Sequence, residues 1–103
     1  MIKVSVFYAD RPGSKFNMDY YCNSHIPMVR EKLGAACKGA AVEQGMSGAN
    51  PGSRPGFVAM GHLYFDSVEA FQAAFGPQAE PILADVPNYT NTTPVIQISE
   101  VSL

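Results

Sequence analysis

The run Phe57–Phe65 (FVAMGHLYF) places the tightest constraint on how this chain can fold. As an extended strand it puts Phe57, Ala59, Gly61, Leu63 and Phe65 on one face and Val58, Met60, His62 and Tyr64 on the other. With His62 neutral, neither face carries a formal charge. A strand of an antiparallel sheet that is wet on one side alternates apolar with polar residues. This strand does not, so both of its faces need cover.

The rest of the chain supplies cover for one face. Ile2–Tyr8 (IKVSVFY) alternates and is rich in β-branched and aromatic residues, which predicts a first strand. Asp10-Arg-Pro-Gly13 is a turn. In Asn17–Leu33, the residues Met18, Tyr21, Cys22, His25, Met28, Val29 and Leu33 recur at three- and four-residue intervals, the spacing of one helical face. Asn17 is a good N-cap and Gly34 a good stop. Pro27 lies inside this helix, where it removes an amide donor and costs about 3 kcal/mol unless the helix kinks. The kink is expected beside His25. Lys38–Met46 reads as a weaker strand with Gly45 as a bulge, and Ser47–Gly56 as a loop suited to act as a flap. Asp66-Ser-Val-Glu69 has the pattern of a capping box, with Asp66 as N-cap of a helix that runs to about Phe75 and buries Val68, Phe71 and Phe75. Gly76-Pro77 breaks that helix, Gln78–Asp85 adds a further helical turn or two, and Pro87–Asn91 is a loop. Asp85 and Asn88 are read as capping that loop. Pro94–Leu103 closes the chain as a strand, with Ile96 and Ile98 on one face and Val95, Gln97, Ser99 and Val101 on the other.

The order β-α-β-β-α-β over a single domain, residues 1–103, predicts an α+β, ferredoxin-like unit: a four-stranded antiparallel sheet with two helices on one face. The other face then bears Val58, Met60, His62, Tyr64, Val95 and Gln97. Soluble monomers seldom leave such a patch in water. The expectation is a homodimer through the open face, whose facing sheets enclose a cavity.

Composition narrows the partners. A net charge of -2 and a charged fraction of 16% give no basic field for nucleic acid and no polybasic segment for a membrane. No long apolar run is present and Met1 leads straight into a strand pattern, so a cytoplasmic protein is expected. Cys22 and Cys37 read as reduced thiols. Cys22 and His25 form a C-x-x-H, half of a zinc site, which no second pair completes, so no metal is expected. No G-x-G-x-x-G follows a strand, and no Walker lysine or G-x-S-x-G occurs, so no cofactor is expected.

Taken together, KVSVFY, the Tyr20-Tyr21-x-x-x-His25-x-Pro27 helix, Gly61-His62-Leu-Tyr-Phe-Asp66-Ser-Val-Glu-Ala-Phe71 and Asp85-Val-Pro-Asn-Tyr89-Thr resemble the EthD family almost end to end. The resemblance implies a dimeric α+β barrel, the superfamily that also holds antibiotic-biosynthesis monooxygenases, muconolactone isomerases, polyketide cyclases and haem-degrading relatives. The family is named for a gene associated with ethyl tert-butyl ether degradation in bacteria. Its members are often labelled reductases, and fungal relatives act as decarboxylases or dehydratases on aromatic polyketides. A catabolic or polyketide-like pathway is implied.

The residues themselves point to cofactor-free proton transfer, of lyase, isomerase or oxygenase type, on a small hydrophobic or aromatic molecule held between sheet and helices. Histidine gives or takes a proton near neutrality, so His62 and His25 are the candidate catalytic pair. His62 is expected to look from a central strand into the cavity without a charged neighbour, and His25 to close one end of the same cavity from the helix. Tyr64, Tyr21, Tyr8, Tyr89, Met60 and Met28 are the candidate substrate-binding residues. Of the adjacent Tyr20 and Tyr21 only one is expected to face inward, and Tyr21 is preferred. For each tyrosine the alternative is plain core packing. A non-catalytic carrier and a haem-binding relative are the competing functions.

Overall fold

The sheet has strand order β2-β3-β1-β4 and is antiparallel throughout, with β1 spanning Ile2–Ala9, β2 Gly39–Gln44, β3 Phe57–Phe65 and β4 Val95–Glu100. The structure, a computed structural model, describes residues Met1–Leu103. The strand without a wet face, β3, is one of the two central strands, beside β1. The register pairs Val4 with Leu63 and with Ile98, so the even residues of β1 share a face with the odd residues of β3 and the even residues of β4. Helices cover that face alone. The molecule is a slab of 41 × 33 × 19 Å, its short dimension being one sheet plus one helical layer. This is the α+β fold expected from the element order.

Helix α1 is continuous but not uniform. It opens with an α turn, Met18–Tyr20, passes through a π turn, Tyr21–His25, and continues as α from Ile26 to Leu33. Asn17 caps it, its Oδ1 accepting from the Tyr20 amide at 3.0 Å. Gly34 ends it at φ 65°, ψ -146°, a region open essentially to glycine. The π turn is how the chain accommodates Pro27: the Ile26 amide reaches back to the Tyr21 carbonyl, five residues away, and the widened turn absorbs the ring. The extra residue also reassigns the helical face. Tyr21, His25, Val29 and Leu33 form the buried stripe, whereas Cys22 points to solvent instead of joining it.

The second helix, α2, spans Val68–Phe75 and is followed by a 3-10 turn, Gly76–Gln78, and the short helix α3, Ala79–Ala84. Its N-cap is Ser67 rather than Asp66. Ser67 is extended (φ -156°) and its Oγ accepts from the Ala70 amide at 3.1 Å. Asp66, one residue earlier, lies 3.8 Å from the Lys38 ammonium instead. The bulge expected at Gly45 lies on the opposite strand: Tyr8 pairs with Ala59 but Ala9 with Phe57, leaving Val58 extra, and the Gly45 amide donates to the Val58 carbonyl at 2.8 Å. A side chain at residue 45 would strike the Phe57 carbonyl. No helix is long and apolar enough to cross a membrane.

The covered face holds two clusters. The larger joins Ile2 and Val4 of β1 and Leu63 and Phe65 of β3 to Val29 and Leu33 of α1 and Ile82 of α3. Burying side chains of this size contributes about 1.5–3 kcal/mol each. Met28 packs on this cluster. The smaller cluster is Tyr8, Tyr21, Ala59 and Tyr89, at the other end of the slab. Three tyrosines make an unusual core, because each hydroxyl needs a partner.

Candidate functional site

His25 and Asp85 organise that aromatic end of the molecule. The π turn stacks the His25 ring on Tyr21, with centroids 5.5 Å apart and planes 15° apart, and the Tyr89 ring lies 4.5 Å from His25 and 4.9 Å from Tyr21. Tyr89 is brought there by the tie between the start of α1 and the segment after α3: the Asn17 amide donates to the Tyr89 carbonyl at 2.8 Å, and the Thr90 hydroxyl to the Lys15 carbonyl at 2.7 Å. The same tie delivers Asp85. One of its carboxylate oxygens accepts from the Tyr20 hydroxyl at 2.7 Å and from the Asn88 amide at 2.8 Å, and the other lies 2.8 Å from His25 Nδ1.

Burial of Asp85 disfavours its charge, but the donors Tyr20, Asn88 and His25 outweigh it and hold the carboxyl below the ordinary value of 3.8. Burial also dominates at His25, pushing it below its ordinary 6.5 against the opposing pull of Asp85. At neutral pH the pair is therefore an ionised carboxylate and a neutral imidazole. An ionised carboxylate only accepts, so Nδ1 carries the ring proton and Nε2 the lone pair. Nε2 has no hydrogen-bond partner within the chain, and it is not an occluded orphan.

His25 lines a cavity of about 90 Å³ between the sheet and the helices. The lining is almost wholly aliphatic and aromatic: Val4, Val6 and Leu63 from the sheet, Val29 from α1, Phe71 and Phe75 from α2. Leu83 and Ile96, also in the lining, are about half exposed, so the cavity opens to solvent beside them. Tyr8, Tyr21 and Tyr89 also line it. The Tyr8 and Tyr89 hydroxyls are 2.7 Å apart, and the Tyr8 hydroxyl makes a long 3.5 Å contact with Tyr21. Burial pushes all three phenols up, so they remain protonated donors. Gly61 is part of this arrangement, because a Cβ there would overlap the Tyr21 hydroxyl. A wider depression of about 580 Å³ along Lys15–Asp19 and Pro87–Asn91 is open to solvent and offers no comparable enclosure.

Of the candidate residues, His25, Tyr21, Tyr8 and Tyr89 converge on this cavity. His62, Tyr64 and Met60 do not: strand alternation puts them on the opposite, open face, so the sheet separates the two histidines and they share no cavity. His62 also has a charged neighbour, contrary to expectation. Its Nε2 is 2.7 Å from the Glu43 carboxylate and its Nδ1 2.8 Å from Ser5 Oγ, a tie across β1, β3 and β2. The loop Ser47–Gly56 does not lie over the cavity. None of its residues lines the cavity, and it is pinned just past the end of β1 by Arg54, which grips the Asp10 carboxylate at 3.0 and 2.9 Å. The C-x-x-H pair is split, Cys22 being exposed and His25 buried. The residues missed in the sequence are Asp85 and Tyr20. Their signal was weak: Asp85 precedes the candidate Tyr89 by one turn of chain, and Tyr20 joins from the edge, by its hydroxyl and by a stack on Tyr89 at 6.4 Å.

The EthD domain matches this chain over residues 15–93, and the chain belongs to the EthD family. An EthD-like protein from Ralstonia eutropha, known from a crystal structure, is 46% identical over 99% of this chain and 92% of its own, with a TM-score of 0.95. An ethyl tert-butyl ether degradation (EthD) family protein from Bacillus halodurans, 20% identical over 98% of both chains, has a TM-score of 0.74 and shares the fold. No protein of curated function matches.

Proposed function

We propose that this EthD-family protein binds a small hydrophobic or aromatic molecule between sheet and helices and moves a proton on it without a cofactor. His25 is the base, Asp85 its positioning partner, and a phenol of the Tyr8–Tyr21–Tyr89 group the hydrogen-bond donor. The observation that carries this reading is the 2.8 Å His25–Asp85 contact at the wall of an apolar cavity, which leaves Nε2 as the ring's unengaged acceptor. A neutral base beside neutral donors suits removal of a proton next to a carbonyl: the base takes the carbon-bound proton while a phenol holds the oxygen that gains charge. The lyase and isomerase classes use that step. His25→Ala is expected to lower turnover of an enolisable carbonyl compound by about 10²–10⁴-fold with unchanged circular dichroism. Full turnover in that variant would remove His25 from the mechanism.

The carrier reading draws on one feature, the scarcity of polar atoms on the cavity wall, and predicts saturable binding without proton exchange. A haem does not fit, since the macrocycle is far larger than a cavity of about 90 Å³. We also propose a homodimer through the open face. Supporting it, Phe7, Val58, Met60 and Tyr64 are only half covered there, and Val95 is 62% exposed. The free thiols of Cys22 and Cys37 suit a cytoplasmic setting.

A further inference from the structure

The cavity wall contains no lysine and no arginine. The full charges that act on its lining are the Asp85 carboxylate behind His25 and, on Tyr21, the Glu43 carboxylate, and both are negative. A carboxylate brought into this space would lose its hydration, gain no cation and meet a second anion, an arrangement that buried charges do not survive. The hydrogen-bonding inventory points the same way. Three phenol protons are present and only two contacts link the three hydroxyls, so at least one O–H is left over. His25 Nε2 adds one acceptor. One donor and one acceptor match an uncharged carbonyl or hydroxyl group.

Volume sets the size. An apolar cavity of about 150 Å³ holds benzene, and this one is about 90 Å³ with the half-exposed Leu83 and Ile96 in its wall. One ring is therefore the upper limit, its polar group at His25 and the remainder of the ring reaching out past those two residues.

From charge, hydrogen-bond count and volume together, we infer that the site takes an uncharged single-ring ketone, aldehyde or phenol and rejects carboxylates of the same shape. This rests on the proposed ligand site and names its substrate class. Where the ligand is an enolisable ketone, the step balances without a further reactant. The C–H bond next to the carbonyl breaks and its proton goes to Nε2. The electron pair forms the C=C bond as the C=O π pair moves to oxygen, which a phenol O–H holds. Return of a proton to carbon restores the ketone, with deuterium incorporated in D2O.

Acetophenone and benzoate share a ring and nearly a shape, and they differ in charge. Each is titrated into the wild-type protein at pH 7 while the His25 and Tyr89 side-chain resonances are followed by NMR. The expected result is saturable movement of both resonances with acetophenone and binding of benzoate weaker by about tenfold or more. Equal affinity for the two at those resonances overturns the inference and leaves the ligand site standing. Failure of acetophenone to move them, with or without benzoate, overturns the ligand site and the inference with it. Selective acetophenone binding without deuterium entering its methyl group supports the inference and overturns the acid–base reading.

Discussion

At the scale of single residues, the site depends on two opposing effects at His25. Burial lowers its proton affinity and Asp85 raises it, with burial dominant. The sign of the resulting pH dependence follows. Below the ordinary 6.5, the unfolded chain takes up a proton that the folded His25 resists, so stability falls as the pH drops through that value. Asp85, held below 3.8, adds a second loss in stronger acid, as the pH falls from that value through its folded pKa. Urea unfolding between pH 7 and pH 3 should show both losses. Asp85→Asn should abolish the acid-most loss and deepen the one below 6.5, because His25 then loses the partner that raised it. It should also lower turnover by about tenfold or more, since the imidazole loses the anion that fixes its tautomer. A variant with wild-type pH dependence would mean that the carboxylate does not interact with His25 in solution.

At the scale of elements, the caps and the π turn determine where side chains point. Ser67 makes the cap bond of α2 and Asp66 does not. Ser67→Ala should therefore cost about 1 kcal/mol in chemical denaturation, and Asp66→Ala should stay within about 0.5 kcal/mol of wild type. The reverse ranking would restore the cap that sequence spacing suggested. That misplacement by one residue is informative. Asp-Ser-Val-Glu offers two competent cap residues in a row, and spacing alone does not choose between them. The strands and helices were legible because periods of two and of three to four residues repeat along the chain. The π turn was not legible. Pro27 signalled a deformation beside His25, but a proline alone does not distinguish a kink from the insertion of one extra residue into the turn, and only the latter turns Cys22 outward.

At the scale of the whole molecule, the sheet divides two chemistries. One face has an apolar cavity with a buried histidine. The other has the Ser5–His62–Glu43 tie beneath a half-covered apolar surface. The family resemblance and the element order together gave the fold, yet they placed His62 and His25 in one cavity. Which face a cavity occupies depends on strand register and helix placement, which no local pattern reports. Asp85 was undervalued for a related reason: its partner lies 60 residues away. If the open face joins two copies, Met60→Asp at its centre should convert a dimer to a monomer in sedimentation velocity while the His25 site keeps its ligand. A dimer that survives this change is assembled through another surface.

The proposed function requires His25 to be a neutral base held by Asp85 through Nδ1, with Nε2 unprotonated. Long-range proton–nitrogen correlation NMR of the ¹⁵N-histidine-labelled protein at pH 7 reads this directly, without knowledge of the substrate. The account predicts a single His25 tautomer with Nδ1 protonated and Nε2 unprotonated, converting to imidazolium only below the ordinary 6.5. An Nε2-protonated ring, or an imidazolium at pH 7, would contradict it.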